Sequence, residues 1–116
     1  MGKLLTIEDD VLLRETLTEI LEVYGHEVIQ AGDGEEGVEL FSKTSPDLVL
    51  CDINMPKLDG FQVLAKLKTL VGASEFPPFI FLSAKTDQQH IKQGLSLGAV
   101  DFVSKPYSTP ELLKLI

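Results

Sequence analysis

Polar residues follow four of the five short apolar runs in this 116-residue sequence. Three acids come directly after the first run, one aspartate comes after the third, a serine after the fourth, and a serine and a lysine after the fifth. These residues are Glu8, Asp9, Asp10, Asp52, Ser83, Ser104 and Lys105. If the runs are strands of one parallel sheet, their ends bring carboxylates, a hydroxyl and an ammonium group together.

Such a group of side chains has a defined chemistry. Two carboxylates about 4 Å apart repel each other by roughly 4 kcal/mol at an effective dielectric constant near 20, so a divalent cation would stabilise them. Mg²⁺ suits a site with few carboxylates, because it keeps several waters and leaves room for a phosphate oxygen. An aspartate can then act as the nucleophile and form an acyl phosphate, while the lysine holds the charged oxygens.

The spacing of the apolar residues predicts the elements that would position these side chains. Short strand-like runs alternate with stretches of helical periodicity. The predicted strands are residues 4–7, 27–31, 47–51, 79–82 and 100–103, and the predicted helices are residues 11–24, 34–43, 60–70 and 87–97, with a last helix from Pro110. Asp10 is a candidate N-cap of the first helix, and Gly25 is a candidate stop. The alternation predicts an α/β domain with a doubly wound parallel sheet.

The composition limits the partners of the chain. Its net charge is −8, from 18 acidic and 10 basic residues. This balance argues against direct binding of nucleic acid, whose phosphates need Lys and Arg, and against binding to an anionic membrane. No apolar run approaches the roughly 20 residues of a membrane span, and no signal-peptide pattern opens the chain, so we expect a cytoplasmic protein. The single cysteine, Cys51, lies in an apolar run and is expected to be buried.

Four separate motifs of the sequence resemble the receiver domain of two-component response regulators (the CheY-like family). They are an acidic stretch, an aspartate followed by Met-Pro and Asp-Gly, a Ser-Ala pair and a Lys-Pro pair. Their positions are Leu4–Asp10, Leu50–Pro56 with Asp59–Gly60, Phe81–Ala84 and Lys105–Tyr107, and Gly98–Ala99 also matches. The resemblance spans the chain. It implies a flavodoxin-like fold with five parallel strands in the order 2-1-3-4-5 and five helices.

The resemblance also implies which residues bind Mg²⁺. Asp52 would be the phosphoacceptor and one of the metal ligands. Asp9 would bind the ion directly, Glu8 would act through water, and Asn54 would offer its backbone carbonyl.

Three further residues would sense the phosphoryl group. Ser83 would contact it, Lys105 would pair with it, and Phe102 would turn inward as Ser83 is drawn towards it. The surface formed by helix 4, strand 5 and helix 5 would change, and a homodimer would form there. The implied partners are a sensor histidine kinase or a histidine phosphotransfer protein. The domain would gain and lose its own phosphoryl group without turning over external substrates, so we do not expect an enzyme.

The length fits one domain over residues 1–116, with no linker or internal repeat. The last predicted helix would have only about two turns, although its apolar residues predict a longer buried face. We therefore expect a truncated last helix and a fragment of a longer chain, with no output domain in these residues.

Three other functions stay open at this point. A flavin- or nucleotide-binding module is disfavoured because no Gly-rich phosphate loop follows the first strand. An aspartyl-phosphate hydrolase is disfavoured because Asn54 stands where such enzymes carry a second aspartate, and no insertion forms a cap. A pseudo-receiver that only contacts proteins is disfavoured by the complete set of acids, hydroxyl and lysine, although only chemistry decides this.

Overall fold

The five strands form one parallel sheet with the order β2-β1-β3-β4-β5. A computed structural model describes residues 2–71, 76–84, 92, 94–105 and 110, with the backbone alone at positions 84, 104 and 105. The elements are β1 (Lys3–Ile7), α1 (Val11–Val23), β2 (Glu27–Ala31), α2 (Gly34–Thr44), β3 (Leu48–Asp52), α3 (Gly60–Val71), β4 (Phe79–Ala84) and β5 (Asp101–Lys105). The α/β class predicted from the periodicity and the strand order implied by the resemblance are both confirmed.

The fourth and fifth predicted helices fall largely outside the described residues. Residues 92 and 94–96, within the predicted fourth helix, are helical, and so is Pro110 at the predicted start of the last one. The predicted truncation of the last helix lies beyond the described part. None of the helices in the described ranges has the length and hydropathy to cross a membrane.

Both faces of the sheet are buried, because successive residues of a strand point to opposite sides and helices cover each side. All five residues of β3 are buried, which explains its unbroken apolar run. The face under α2 and α3 carries Leu5, Ile7, Val49, Cys51, Phe79 and Phe81, and the face under α1 carries Leu4, Leu48, Leu50, Ile80, Leu82 and Val103. Each such side chain contributes roughly 1.5–3 kcal/mol when fully buried. The carboxyl edge of the sheet is therefore fixed from both sides.

An aspartate caps the N-terminus of each of the three fully described helices. In each case a side-chain oxygen accepts a hydrogen bond from the amide three residues further on, at 3.2, 2.8 and 2.8 Å for Asp10, Asp33 and Asp59. Such a cap is worth about 1 kcal/mol. Asp10 is confirmed as the N-cap of α1, and capping accounts for Asp10, Asp33 and Asp59. It does not account for Glu8, Asp9 and Asp52.

Candidate functional site

Three carboxylates meet at the carboxyl edge of the sheet, where β1 and β3 end side by side. Ile7 pairs with Cys51 in register, so Glu8 and Asp52 are the next residues on neighbouring strands. One carboxylate oxygen from each of Glu8, Asp9 and Asp52 lies within 4.8 Å of the others. Glu8 is fully buried and Asp52 is 6% exposed, whereas Asp9 is open to solvent. The structure thus brings together the three acids that the sequence placed at one site.

This acidic cluster is costly without a counter-ion. At about 5 Å and an effective dielectric constant near 20, each pair of charged carboxylates repels by roughly 3 kcal/mol. Burial raises the cost further for Glu8 and Asp52, because a buried charge loses its hydration. A set of oxygen donors with one solvent-facing member is what a hard divalent cation such as Mg²⁺ requires. The donor set therefore fits the ion expected from the sequence.

Ser83 is a buried residue at the same edge of the sheet as this cluster. In the β3–β4 register Asp52 pairs with Leu82, so Ser83 is one residue further along the adjacent strand. Its side chain is fully buried, and its Oγ has no hydrogen-bond partner among the described residues. An unsatisfied buried hydroxyl costs about 1–3 kcal/mol. From its register position after Asp52, Ser83 could donate a hydrogen bond to an oxygen of a group bound to the Asp52 carboxylate.

β5 brings the predicted lysine to the same edge. Ser83 pairs with Ser104 and Ala84 with Lys105, so the backbone of Lys105 ends the strand that follows β4 in the sheet. Its side chain lies outside the described part of the structure. Phe102 pairs with Phe81 and packs, half-buried, against the core under α2 and α3. The predicted switch aromatic is therefore part of the core in this structure.

The loop after β3 turns tightly over the end of that strand. The amide of Ile53 donates to the Leu82 carbonyl at 3.2 Å, and the amide of Gly60 donates to the Ile53 carbonyl at 2.8 Å. A Cβ on Gly60 would lie 2.6 Å from the Asp52 carbonyl oxygen, so only glycine allows this close return. Asn54 is exposed in this turn, two residues past Asp52. The metal-binding role of its backbone carbonyl stays a prediction.

The strands extend further than their apolar patterns predicted. Asp52, Ser83, Ser104 and Lys105 were expected to follow their strands, but each lies within β3, β4 or β5. The reason is that the hydrogen-bonded ladder joins backbone groups and does not depend on side-chain polarity. The polar residues are consequently held by the sheet itself, which gives the site a firmer base than loops would.

Two basic residues near the site were not predicted. Lys57 has a positive φ of 69°, and its ammonium lies 3.3 Å from an Asp33 carboxylate oxygen. The pKa of Asp33 is lowered, first by the hydrogen bond from the Glu36 amide and also by Lys57. Arg14 of α1 donates from Nη1 to the Glu8 carbonyl at 2.9 Å. Arg14 is the single arginine of the chain and follows the acids by one helical turn, which was the one available signal.

Comparison with known proteins gives consistent relatives. The family described as the response regulator receiver domain matches residues 4–116. A probable transcriptional regulator ycf27 of Porphyridium aerugineum is 40% identical over 110 residues, which cover 95% of this chain and 44% of that protein. The transcriptional regulatory protein AfsQ1 of Streptomyces coelicolor is 38% identical over 106 residues, covering 91% of this chain and 45% of that protein. The chain thus spans less than half the length of these curated relatives.

Solved structures with the same fold agree with the sequence comparison. The chemotaxis protein CheY4 of Vibrio cholerae superposes with a TM-score of 0.90 at 29% identity, over 99% of this chain and 95% of that one. The receiver domain of the Francisella response regulator 1452 gives 0.89 at 30% identity, over 99% and 93%. The match over nearly all residues, the strand order and the acidic edge of the sheet lead to one conclusion: the chain belongs to the response regulator receiver domain family.

Proposed function

We propose that this domain accepts a phosphoryl group on Asp52 from a sensor histidine kinase or a histidine phosphotransfer protein, with Mg²⁺ bound in the acidic cluster. The observation that carries the proposal is the meeting of three carboxylates where β3 ends, one residue in register from the buried Ser83 of β4. The Ser83 hydroxyl has no hydrogen-bond partner among the described residues. A cation and a phosphoryl group together would satisfy both features.

Each residue has a distinct task in this transfer. Glu8, Asp9 and Asp52 would hold the ion, together with the Asn54 carbonyl. Bound Mg²⁺ supplies the positive charge that offsets the carboxylates and the phosphoryl oxygens. An oxygen of Asp52 attacks phosphorus, and the bond between phosphorus and the donor's histidine nitrogen breaks as the new acyl phosphate bond forms. Lys105 would balance the charge of the transferred group.

The transferred group then acts as a signal through charge. It adds roughly two negative charges at the edge of the sheet. The Ser83 hydroxyl gains an acceptor and moves towards it, and Phe102 moves into the space that this opens. We propose that the surface of the predicted fourth helix, β5 and the predicted fifth helix changes as a result. A homodimer through that surface stays a prediction.

A role in controlling transcription is part of the proposal for the whole protein, because several curated relatives are named as transcriptional regulators. This domain is not expected to contact nucleic acid directly, since its net charge is −8. The cytoplasmic location expected from the sequence also stays a prediction.

Intact-mass measurement with a small phosphodonor tests the proposal. The chain is incubated with acetyl phosphate, with and without Mg²⁺, beside the variants Asp52→Asn and Asp33→Asn. Asp33 is a matched control, because it is an acid at the same edge whose task is capping. We expect a gain of one phosphoryl group that needs Mg²⁺, is lost in Asp52→Asn and persists in Asp33→Asn. An equal gain in Asp52→Asn, or no gain with any donor, would contradict the proposal.

The same samples separate the alternative functions. A flavin-binding module would give a coloured protein, and a hydrolase would release phosphate continuously from many phosphate esters. A pseudo-receiver would bind partners without any change in mass. A colourless protein with a single stoichiometric gain in mass, and with no continuous release of phosphate from esters, would exclude all three.

A further inference from the structure

Arg14 of α1 contacts the backbone of the acidic cluster. We propose that it is a positioning residue, which fixes the main chain of Glu8 so that the Glu8 and Asp9 carboxylates face Asp52. This inference rests on the proposed function, since it concerns the same ion. Its basis is the hydrogen bond of 2.9 Å from Arg14 Nη1 to the Glu8 backbone carbonyl. The guanidinium contacts the backbone that carries the acids, which is the geometry of a support.

The Glu8 peptide is held from both sides. Its amide donates to the Ala31 carbonyl of β2 at 3.1 Å, and its carbonyl accepts from Arg14. Its carboxylate accepts a hydrogen bond from the Asp10 amide at 3.3 Å. Glu8 lies just past the end of β1, so the strand ladder to β3 no longer fixes this position. Arg14 supplies from α1 a restraint on the Glu8 carbonyl that β3 does not supply.

Gly32 leaves the space through which Arg14 reaches Glu8. A Cβ on Gly32 would lie 2.9 Å from Arg14 Nη1, closer than side chains normally approach. The Glu36 carboxylate lies 3.6 Å from that Cβ position and accepts a hydrogen bond from the Gly32 amide at 2.6 Å. Because Gly32 has no side chain, the guanidinium of Arg14 can occupy this space. This provides a second way to perturb the support without changing Arg14.

The direction of the change in Mg²⁺ affinity distinguishes a positioning role of Arg14 from a purely electrostatic effect of its charge. A positive charge beside the cluster repels a divalent cation, so removing it should tighten Mg²⁺ binding if charge alone matters. If Arg14 positions the acids, removing it should weaken binding, although a repulsive charge has been lost. Residues that orient metal ligands typically change metal affinity by about 10- to 100-fold when replaced.

Isothermal titration calorimetry of Mg²⁺ into the unphosphorylated 116-residue chain measures this directly. We expect Arg14→Ala to weaken Mg²⁺ binding by about 10-fold or more. Gly32→Ala should weaken it by a smaller factor, because the guanidinium that its Cβ would displace is the end of a flexible side chain. Lys57→Gln is the charge control, because it removes one positive charge from a loop at the same edge. It should leave the affinity equal or slightly higher. Urea unfolding without metal checks that each variant is folded. If Arg14→Ala does not fold, Gly32→Ala still tests the proposal.

Two outcomes would overturn the positioning role. One is equal or tighter Mg²⁺ binding in Arg14→Ala, and the other is an unchanged affinity in Gly32→Ala. The role can also be separated from the proposed function. If Mg²⁺ binds and both variants weaken it, while Asp52 gains no phosphoryl group, the positioning role stands and the proposed function alone fails.

Discussion

Removing the Ser83 hydroxyl should raise the stability of the domain and impair its function at the same time. The perturbation is Ser83→Ala, which removes one fully buried oxygen without a hydrogen-bond partner among the described residues. An unsatisfied buried hydroxyl costs about 1–3 kcal/mol, and deleting it offsets a small loss of packing. We therefore expect the alanine variant to be more stable than the wild type by about 1 kcal/mol.

Thermal and urea unfolding in the absence of Mg²⁺ and phosphodonor measure this difference. For a domain of this size, 1 kcal/mol corresponds to roughly 4 °C in the midpoint of thermal unfolding. The matched control is Thr6→Val, which removes a fully buried hydroxyl of β1 while keeping the side-chain shape. That hydroxyl does have a partner, the Ile29 carbonyl at 3.5 Å. Its removal should destabilise the protein by up to about 1 kcal/mol.

The same variant should be impaired in phosphoryl transfer. If Ser83 donates to the phosphoryl group, its loss should slow transfer by about 10²- to 10³-fold, the usual effect of deleting one donor to a developing charge. Rates from acetyl phosphate with saturating Mg²⁺ give this number. Two results would refute the reasoning: a Ser83→Ala variant destabilised as much as Thr6→Val, or a stabilised variant with an unchanged transfer rate.

Two further predictions concern residues near the carboxyl edge of the sheet, Asp33 and Gly60. Asp33→Ala should lower stability by about 1 kcal/mol at neutral pH through loss of the α2 cap. The pKa of Asp33 is lowered on folding, chiefly by the Glu36 amide. Its contribution is therefore full above the unfolded value near pH 4, and it is lost as the pH falls through the lower folded value. The urea midpoints of the wild type and of Asp33→Ala should converge in acid, and a difference between the two midpoints that grows in acid would contradict this. Gly60→Ala places a Cβ 2.6 Å from the Asp52 carbonyl oxygen. It should cost about 1–3 kcal/mol and slow phosphorylation at Asp52, whereas normal stability and rate would contradict the tight turn.

The sequence predicted the site because strand ends are visible as places where an apolar run stops. That logic placed Glu8, Asp9 and Asp52 together before any geometry was available, and it identified Asp10 as a cap. It failed on the limits of β3, β4 and β5, since polarity ends a pattern without ending a hydrogen-bonded ladder.

Other features could not be predicted because they depend on contacts between distant elements. A glycine inside a helix lowers helix propensity, yet α2 contains Gly37, where a Cβ would lie 2.5 Å from Ile7 Cδ1. The glycine is explained by the close packing of α2 on β1. The path of Arg14 past Gly32 likewise follows from the relative placement of α1 and β2, which no periodicity specifies.

The distribution of favourable and unfavourable features across the domain supports the functional proposal as a whole. The two cores follow the rules of a stable sheet, with apolar side chains on both faces and an aspartate at each described helix start. Among the described residues, the departures from those rules include a buried Glu8, a nearly buried Asp52 and a buried Ser83 hydroxyl without a hydrogen-bond partner, and these three lie at one edge. Natural sequences tolerate such departures mainly at functional sites. A cation together with a phosphoryl group would satisfy all three features.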